Sequence, residues 1–211
     1  MLGIYGGTFN PVHYGHLRTA LEVGEAFALE TVALVPCHLP PHRDAPDVSS
    51  EQRLRMLEIA IADTPGLTVD RRELDRGGPS YMVDTLASLR VEHPEVALLL
   101  FIGADAFAGL ERWHRWQALF DHAHLVVMTR PGHPVPAMSP WLAQRHVAHR
   151  QALNEQGSGL LYFQVVTALD ISATAIRDLI AAGRNPKFLL PDGVIDFIRQ
   201  HHLYSPINAG Q

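Results

Sequence analysis

Short continuous apolar runs alternate with amphipathic stretches from one end of this chain to the other, and that alternation limits the fold more than any other feature. LGIYGG (2–7), TVALVP (31–36), VALLLFIG (96–103), HLVVMTRPG (124–132) and LLYFQVV (160–166) read as buried strands, and LTVDRREL (67–74) as a further one. A strand that is apolar at every position has both faces covered, which is the setting of a parallel sheet between helices. The intervening segments have helical spacing. HLRTALEVGEAFAL (16–29) places Leu17, Ala20, Leu21 and Gly24 near one face. SSEQRLRMLEIAIAD (49–63) opens with a capping-box pattern from Ser49 to Gln52. SYMVDTLASLRVEH (80–93) reads as a helix, ADAFAGLERWHRWQALFDHA (104–123) as a broken one, and Ser139 to Leu153 as a fairly polar one. ISATAIRDLIAAG (171–183) stops near Gly183, and PDGVIDFIRQHH (191–202) starts at Pro191. The prediction is an α/β, doubly wound parallel sheet with helices on both faces and a small C-terminal helical region.

Composition narrows the function classes. At 211 residues and 47% hydrophobic, the chain fits one domain, residues 1–211, with a sizeable core. Its net charge of −5 gives no basic face for nucleic acid. Cys37 is the sole cysteine, which excludes an intramolecular disulfide and a Cys-rich zinc site. The N-terminus lacks a signal-peptide pattern, and no apolar window approaches the ~20 residues of a membrane span. The expectation is a soluble, cytoplasmic protein with no membrane or nucleic-acid partner.

In doubly wound sheets ligands bind beyond the C-terminal ends of the strands. The chemically unusual turns fall there: GGTFNPVH after the first strand, the proline-rich 37–48 loop after the second, then GAD, TRPG and DISAT. The first suits an anion, because bare backbone N–H groups and a helix N-terminus carry positive potential. It is neither GxGxxG nor GxxxxGK[ST], which argues against a dehydrogenase or P-loop reading. It ends in His13-Tyr14-Gly15-His16. At a helix start, residues three apart share a face, so both imidazoles can meet phosphate oxygens. A zinc pair or helix-start histidines in solvent are the plainer readings, but no third zinc ligand is evident nearby.

GTFNPVHYGH (7–16) resembles the GxFxPxHxGH pattern of the nucleotidylyltransferase superfamily, and ISATAIR (171–177) is similar to its ISSTxIR motif, with Ala173 in place of the second serine. PPHR (40–43), GPSYMVDTL (78–86), FIGAD (101–105), Trp113 and HLVVMTRPG resemble the bacterial nicotinate-mononucleotide adenylyltransferases along nearly the whole chain. The resemblance implies a Rossmann-like fold and a set of roles. His13, His16 and Arg177 would be catalytic. Gly6, Gly7, Thr8, Phe9, Gly103, Asp105, Ile171, Ser172 and Thr174 would join them in binding ATP. His42, Arg43 and Arg130 would meet the mononucleotide's phosphate. Tyr81, Met82, Val83, Thr85, Trp113 and His114 would surround its pyridine ring. Bland alternatives stand beside several of these, such as Asp105 as a helix N-cap and Trp116 as core packing.

The implied reaction joins ATP and nicotinate mononucleotide into deamido-NAD and pyrophosphate. A phosphate monoester is largely dianionic at pH 7 and needs no general base, which matches the lack of an evident base or covalent nucleophile. Mg²⁺ would arrive on ATP rather than in a protein cage. A nicotinamide-mononucleotide or dual-specificity enzyme, and a non-catalytic nucleotide sensor, are the remaining alternatives. SYMVDTL and Trp113 argue against a phosphopantetheine acceptor.

Overall fold

The computed structural model describes residues 1–40, 46, 48–132, 135, 137–167 and 169–205. His42 and Arg43, two of the expected phosphate ligands, lie outside the described residues. Among the described residues six strands, β1 (Leu2–Gly7), β2 (Val32–Pro36), β3 (Leu67–Val69), β4 (Leu98–Gly103), β5 (His124–Thr129) and β6 (Leu161–Val165), form one sheet in the order β3-β2-β1-β4-β5-β6. Every neighbouring pair is parallel. The helices are α1 (Tyr14–Ala26), α2 (Ser50–Ile61), α3 (Arg72–Arg76), α4 (Met82–Glu92), α5 (Ala104–Ala108), α6 (Leu119–His122), α7 (Pro140–Ala143), α8 (Ala173–Ala181) and α9 (Asp192–Gln200). The doubly wound expectation is met.

Side chains alternate along each strand, so a run that is apolar throughout feeds two cores. On β4, Leu99 and Phe101 enter one with Leu17 and Val23 of α1, Met56 and Leu57 of α2, Ile176 of α8 and Ile195 of α9. Leu98, Leu100 and Ile102 enter the other with Leu86 and Leu89 of α4, Phe107 of α5 and Leu119 of α6. The Ser49–Gln52 capping box forms as read, with Ser49 Oγ accepting from Gln52 N at 3.2 Å.

Three local expectations are corrected. The strand read over 67–74 ends at Val69, because Asp70 accepts from Arg72 N (3.0 Å) and Nε (2.7 Å) and starts α3 instead. The helix read from Ser139 to Leu153 reduces to α7 and a 3-10 turn at Arg150–Asn154. Between them the backbone pairs with the start of β6: Leu161 N donates to Arg145 O and Val147 N to Leu161 O. Pro191 caps α9 from outside rather than opening its first turn.

Arg90, near the end of α4, ties three loops at the N-terminal edge of the sheet. Its guanidinium donates to the carbonyls of His93, Pro94, Val96, His122 and Gly157, with the shortest contacts 2.6 Å to His122 O and 2.7 Å to Val96 O. Hydrogen bonds from a charged donor are each worth roughly 1.5–3 kcal/mol, less where water can substitute. Arg90→Met should therefore lower unfolding stability by about 2 kcal/mol in urea titration, with the m-value unchanged.

Candidate active site

The chain leaves β1 and β4 toward opposite faces of the sheet, and a crevice opens between their C-terminal ends. It is a cleft of about 1280 Å³, lined by the β1 turn, the loop after β2, the start of α4, the β4–α5 turn, the Trp113 segment and the start of α8. That volume suits a dinucleotide-sized ligand.

The β1 turn is bare for a steric reason. A Cβ on Gly7 would lie 2.9 Å from the buried Phe9 ring, and one on Gly6 2.3 Å from Met82 Cε, the far end of a flexible side chain that would have to swing aside. Phe9 holds the left-handed region at φ 47° and buries its ring in the core, leaving its backbone toward the cleft. Arg53, 1% exposed, secures the turn by donating to Thr8 O (2.7 Å) and His38 O (3.0 Å), so one guanidinium joins the β1 and β2 loops.

His13 and His16 stack with ring centroids 3.7 Å apart at 30°. Gly15 makes room for this: a Cβ there would sit 3.0 Å from His13 Cε1 and Nδ1. His13 N donates to His16 Nδ1 at 3.3 Å, which leaves the neutral His16 ring its proton on Nε2. His13 Nδ1 is buried and makes no hydrogen bond among the described residues. Burial pushes His13 down to about 4 and His16 down to about 3, the latter also disfavoured by its neighbour. Both rings are neutral donors at pH 7.

The second motif lies opposite. Ser172 caps α8, accepting from Ala175 N at 3.1 Å, and the free N–H groups of the first turn face the cleft with Thr174. Arg177 reaches back across the crevice, donating to Asn10 O (2.8 Å) and Thr174 Oγ1 (3.2 Å). Gly103 and Asp105 line the cleft at the end of β4, and the cap position of α5 belongs to Gly103, so Asp105 is not the N-cap. On the far wall stand Tyr81, Met82, Val83, Trp113 and His114, the Tyr81 and His114 rings 4.3 Å apart. Trp116 turns away and packs edge-on against Trp141.

Two assigned residues do not line the cleft. Thr85 is fully buried behind the α4 wall, donating to Glu73 Oε1 at 2.6 Å and accepting from Arg76 Nη2 at 3.2 Å. Arg130 stands off at the end of β5, 4.0 Å from the Asp170 carboxylate, so the TRPG turn does not join the others. Conversely, Asn10, Glu73, Ser80, Arg112 and Tyr204 line the cleft without having been singled out in the sequence. Asn10 sits inside the first motif and Ser80 inside GPSYMVDTL; the others carry no local pattern. Glu73, 3% exposed, has its carboxyl pushed up by burial and tempered by hydrogen bonds from Thr85 and Ser80.

The histidine pair fixes a pH dependence. Both rings titrate lower in the folded chain than the ordinary 6.5, so below that pH the unfolded chain binds more protons. The pair adds no pH dependence above pH 6.5, and its contribution to stability falls as pH drops from there toward about 4, then about 3. Denaturant titrations of a His13→Asn/His16→Gln variant should show a shallower decline over that window. A residual slope is expected from His124, also lowered by burial.

The cytidylyltransferase-like family matches residues 4–179. A probable nicotinate-nucleotide adenylyltransferase of Methylococcus capsulatus is 50% identical over 209 residues, covering 97% of this chain and 100% of that protein. One of Pseudomonas aeruginosa is 50% identical over 207 residues, covering 96% of each. The fold matches the nicotinic acid mononucleotide adenylyltransferase of Plasmodium falciparum, solved in complex with NaAD, with a TM-score of 0.73 over 96% of each chain at 16% identity. The chain belongs to the cytidylyltransferase-like family and, within it, to the nicotinate-nucleotide adenylyltransferases.

Proposed function

We propose that this cleft transfers the adenylyl group of ATP to nicotinate mononucleotide, forming deamido-NAD and pyrophosphate for NAD biosynthesis. The observation that carries the reading is the stacked His13–His16 pair between the bare β1 turn and the α8 N-terminus, facing an aromatic wall in the same cleft. The P. falciparum protein's complexes with NaAD and with APC agree with ligands of this kind.

ATP lies with its phosphates over Gly6–Phe9 and the first turn of α8, near Ser172, Thr174 and Arg177, and its ribose near Gly103 and Asp105. The mononucleotide's ring stacks on Trp113 between His114 and the start of α4, where the N–H groups of Met82 and Val83 face a ring carboxylate. Thr85 acts from behind that wall through Glu73. A phosphate oxygen of the mononucleotide attacks the α-phosphorus. One P–O bond forms, the bond to the β-phosphate oxygen breaks, and pyrophosphate leaves with the electron pair. The nucleophile is already ionised, so no proton need move first.

The obstacle is repulsion between two polyanions, and positioning with charge stabilisation overcomes it. His16 Nε2–H, Arg177 and the α8 N–H groups are the donors for the charge that grows on the leaving group. Polyphosphate beside the neutral histidines favours their charged forms, and the proton that either ring takes up comes from water. The described residues hold no cluster of three His, Cys, Asp or Glu side chains that could cage a metal. Mg²⁺ carried in with ATP would be held chiefly by the nucleotide and water, and would supply neutralisation of phosphate charge there.

His16→Ala should lower kcat by about 10²–10³ while ATP binding weakens but persists. Trp113→Ala should raise the KM for the mononucleotide about five- to tenfold, the loss of ~1 kcal/mol of stacking, and leave the KM for ATP in place. Pyrophosphate release with ATP and Mg²⁺, run with nicotinate and with nicotinamide mononucleotide, tests the reaction. Strong turnover of the acid and little of the amide is expected. Equal rates would mean that the ring is held by stacking alone, and no release with either would overturn the assignment.

A further inference from the structure

The C-terminal region reaches back into the nucleotide site. After α9 ends at Gln200, the chain reverses through His202 (φ 52°) and Tyr204 (φ 59°), both in the left-handed region. Each such residue costs roughly 1–2 kcal/mol and persists only where its surroundings fix it. Here Leu203 between them is buried in the α1–α2 core, and Tyr204 points to the cleft. The Tyr204 hydroxyl donates to Asn10 Oδ1 at 2.6 Å. Asn10 O is in turn the acceptor that holds Arg177, at 2.8 Å. Burial keeps the Tyr204 phenol far above its ordinary pKa, so it remains a neutral donor throughout the working pH range. Tyr204 lies beyond residues 4–179, the span that the cytidylyltransferase-like family model matches.

We infer that Tyr204 is a positioning residue for ATP: its hydroxyl fixes Asn10, and Asn10 sets where the Arg177 guanidinium stands over the nucleotide phosphates. Without that donor the Asn10 side chain turns freely, the peptide that anchors Arg177 shifts with it, and Arg177 must be ordered anew on each binding event. The inference rests on Arg177 meeting ATP. It predicts an effect on ATP alone, because the mononucleotide's ring binds at the opposite wall.

The test is Tyr204→Phe, which keeps the ring and removes the donor. About a tenfold fall in kcat/KM for ATP is expected, the equivalent of one well-placed hydrogen bond, with the KM for the mononucleotide within twofold of wild type. Asn10→Ala should reproduce the loss, and the double variant should be no worse than either single one. Direct ATP titration should show weaker binding in all three. That readout needs no turnover, so it can support the positioning role even if wild type transfers nothing to nicotinate mononucleotide. A lowered melting temperature with unchanged ATP constants would reduce Tyr204 to a structural tie and overturn the inference. Additive losses in the double variant would also overturn it, by placing the hydroxyl on the substrate rather than on Asn10.

Discussion

The parallel pairing of β1 with both β2 and β4 is the constraint on which the site depends. Gly3 to Tyr5 are paired on both sides, so the strand is fixed in register before its glycine turn begins. Its connection runs to α1 on one face, whereas that of β4 runs to α5 on the other. Backbone hydrogen bonds hold the two strands together at their centres, and the chain parts them at their ends. The crevice is thus a product of topology, and side chains only furnish it. Its floor is backbone at Gly7 because the buried Phe9 ring already occupies the space a β-carbon would need, and at Gly6 Met82 Cε would have to swing aside for one.

The furnishing comes from segments far apart in sequence that are joined by a few partly buried polar contacts. Arg53 connects the β1 turn to the loop after β2, Arg177 connects it to α8, and Tyr204 connects it to the C-terminus. Each contact ends on Thr8 or Asn10. A turn held at adjacent points by three distant elements has little freedom left, and that suits a reaction whose acceleration comes from placement rather than from bond chemistry. The acceptor side is assembled differently. Glu73 gathers the hydroxyls of Thr85 and Ser80, and Ser80 Oγ accepts from His38 N at 2.8 Å, so the α4 wall and the loop after β2 share one buried carboxyl.

The fold was legible because its signals are local. Continuous apolar strands, the Ser49 cap and the break within 104–123 all follow from neighbouring residues. LTVDRREL misled because Asp70 captures Arg72 and turns the chain, a side-chain event that hydrophobic periodicity does not register. The polar 139–153 stretch misled because its middle pairs with β6, a partner the pattern cannot name. The motifs led to the phosphate side of the site, where function is concentrated in adjacent residues. They did not lead to Tyr204, Glu73 or Arg112, whose presence in the cleft is decided by tertiary turns. The resemblance also assigned Arg130 and Thr85, and the structure places one beside Asp170 and the other behind the wall.

The stacked histidines have a consequence for what the empty enzyme attracts. Two permanently charged side chains there would gather any small anion, and ATP would have to displace it. Two neutral rings 3.7 Å apart exert little pull on chloride or free phosphate. Their charge is latent, drawn out only by a ligand that brings several negative oxygens to the turn at once. Arg177 and the α8 N-terminus already supply standing positive charge, and the histidine pair beside them behaves instead like an indicator that changes form when a polyphosphate arrives.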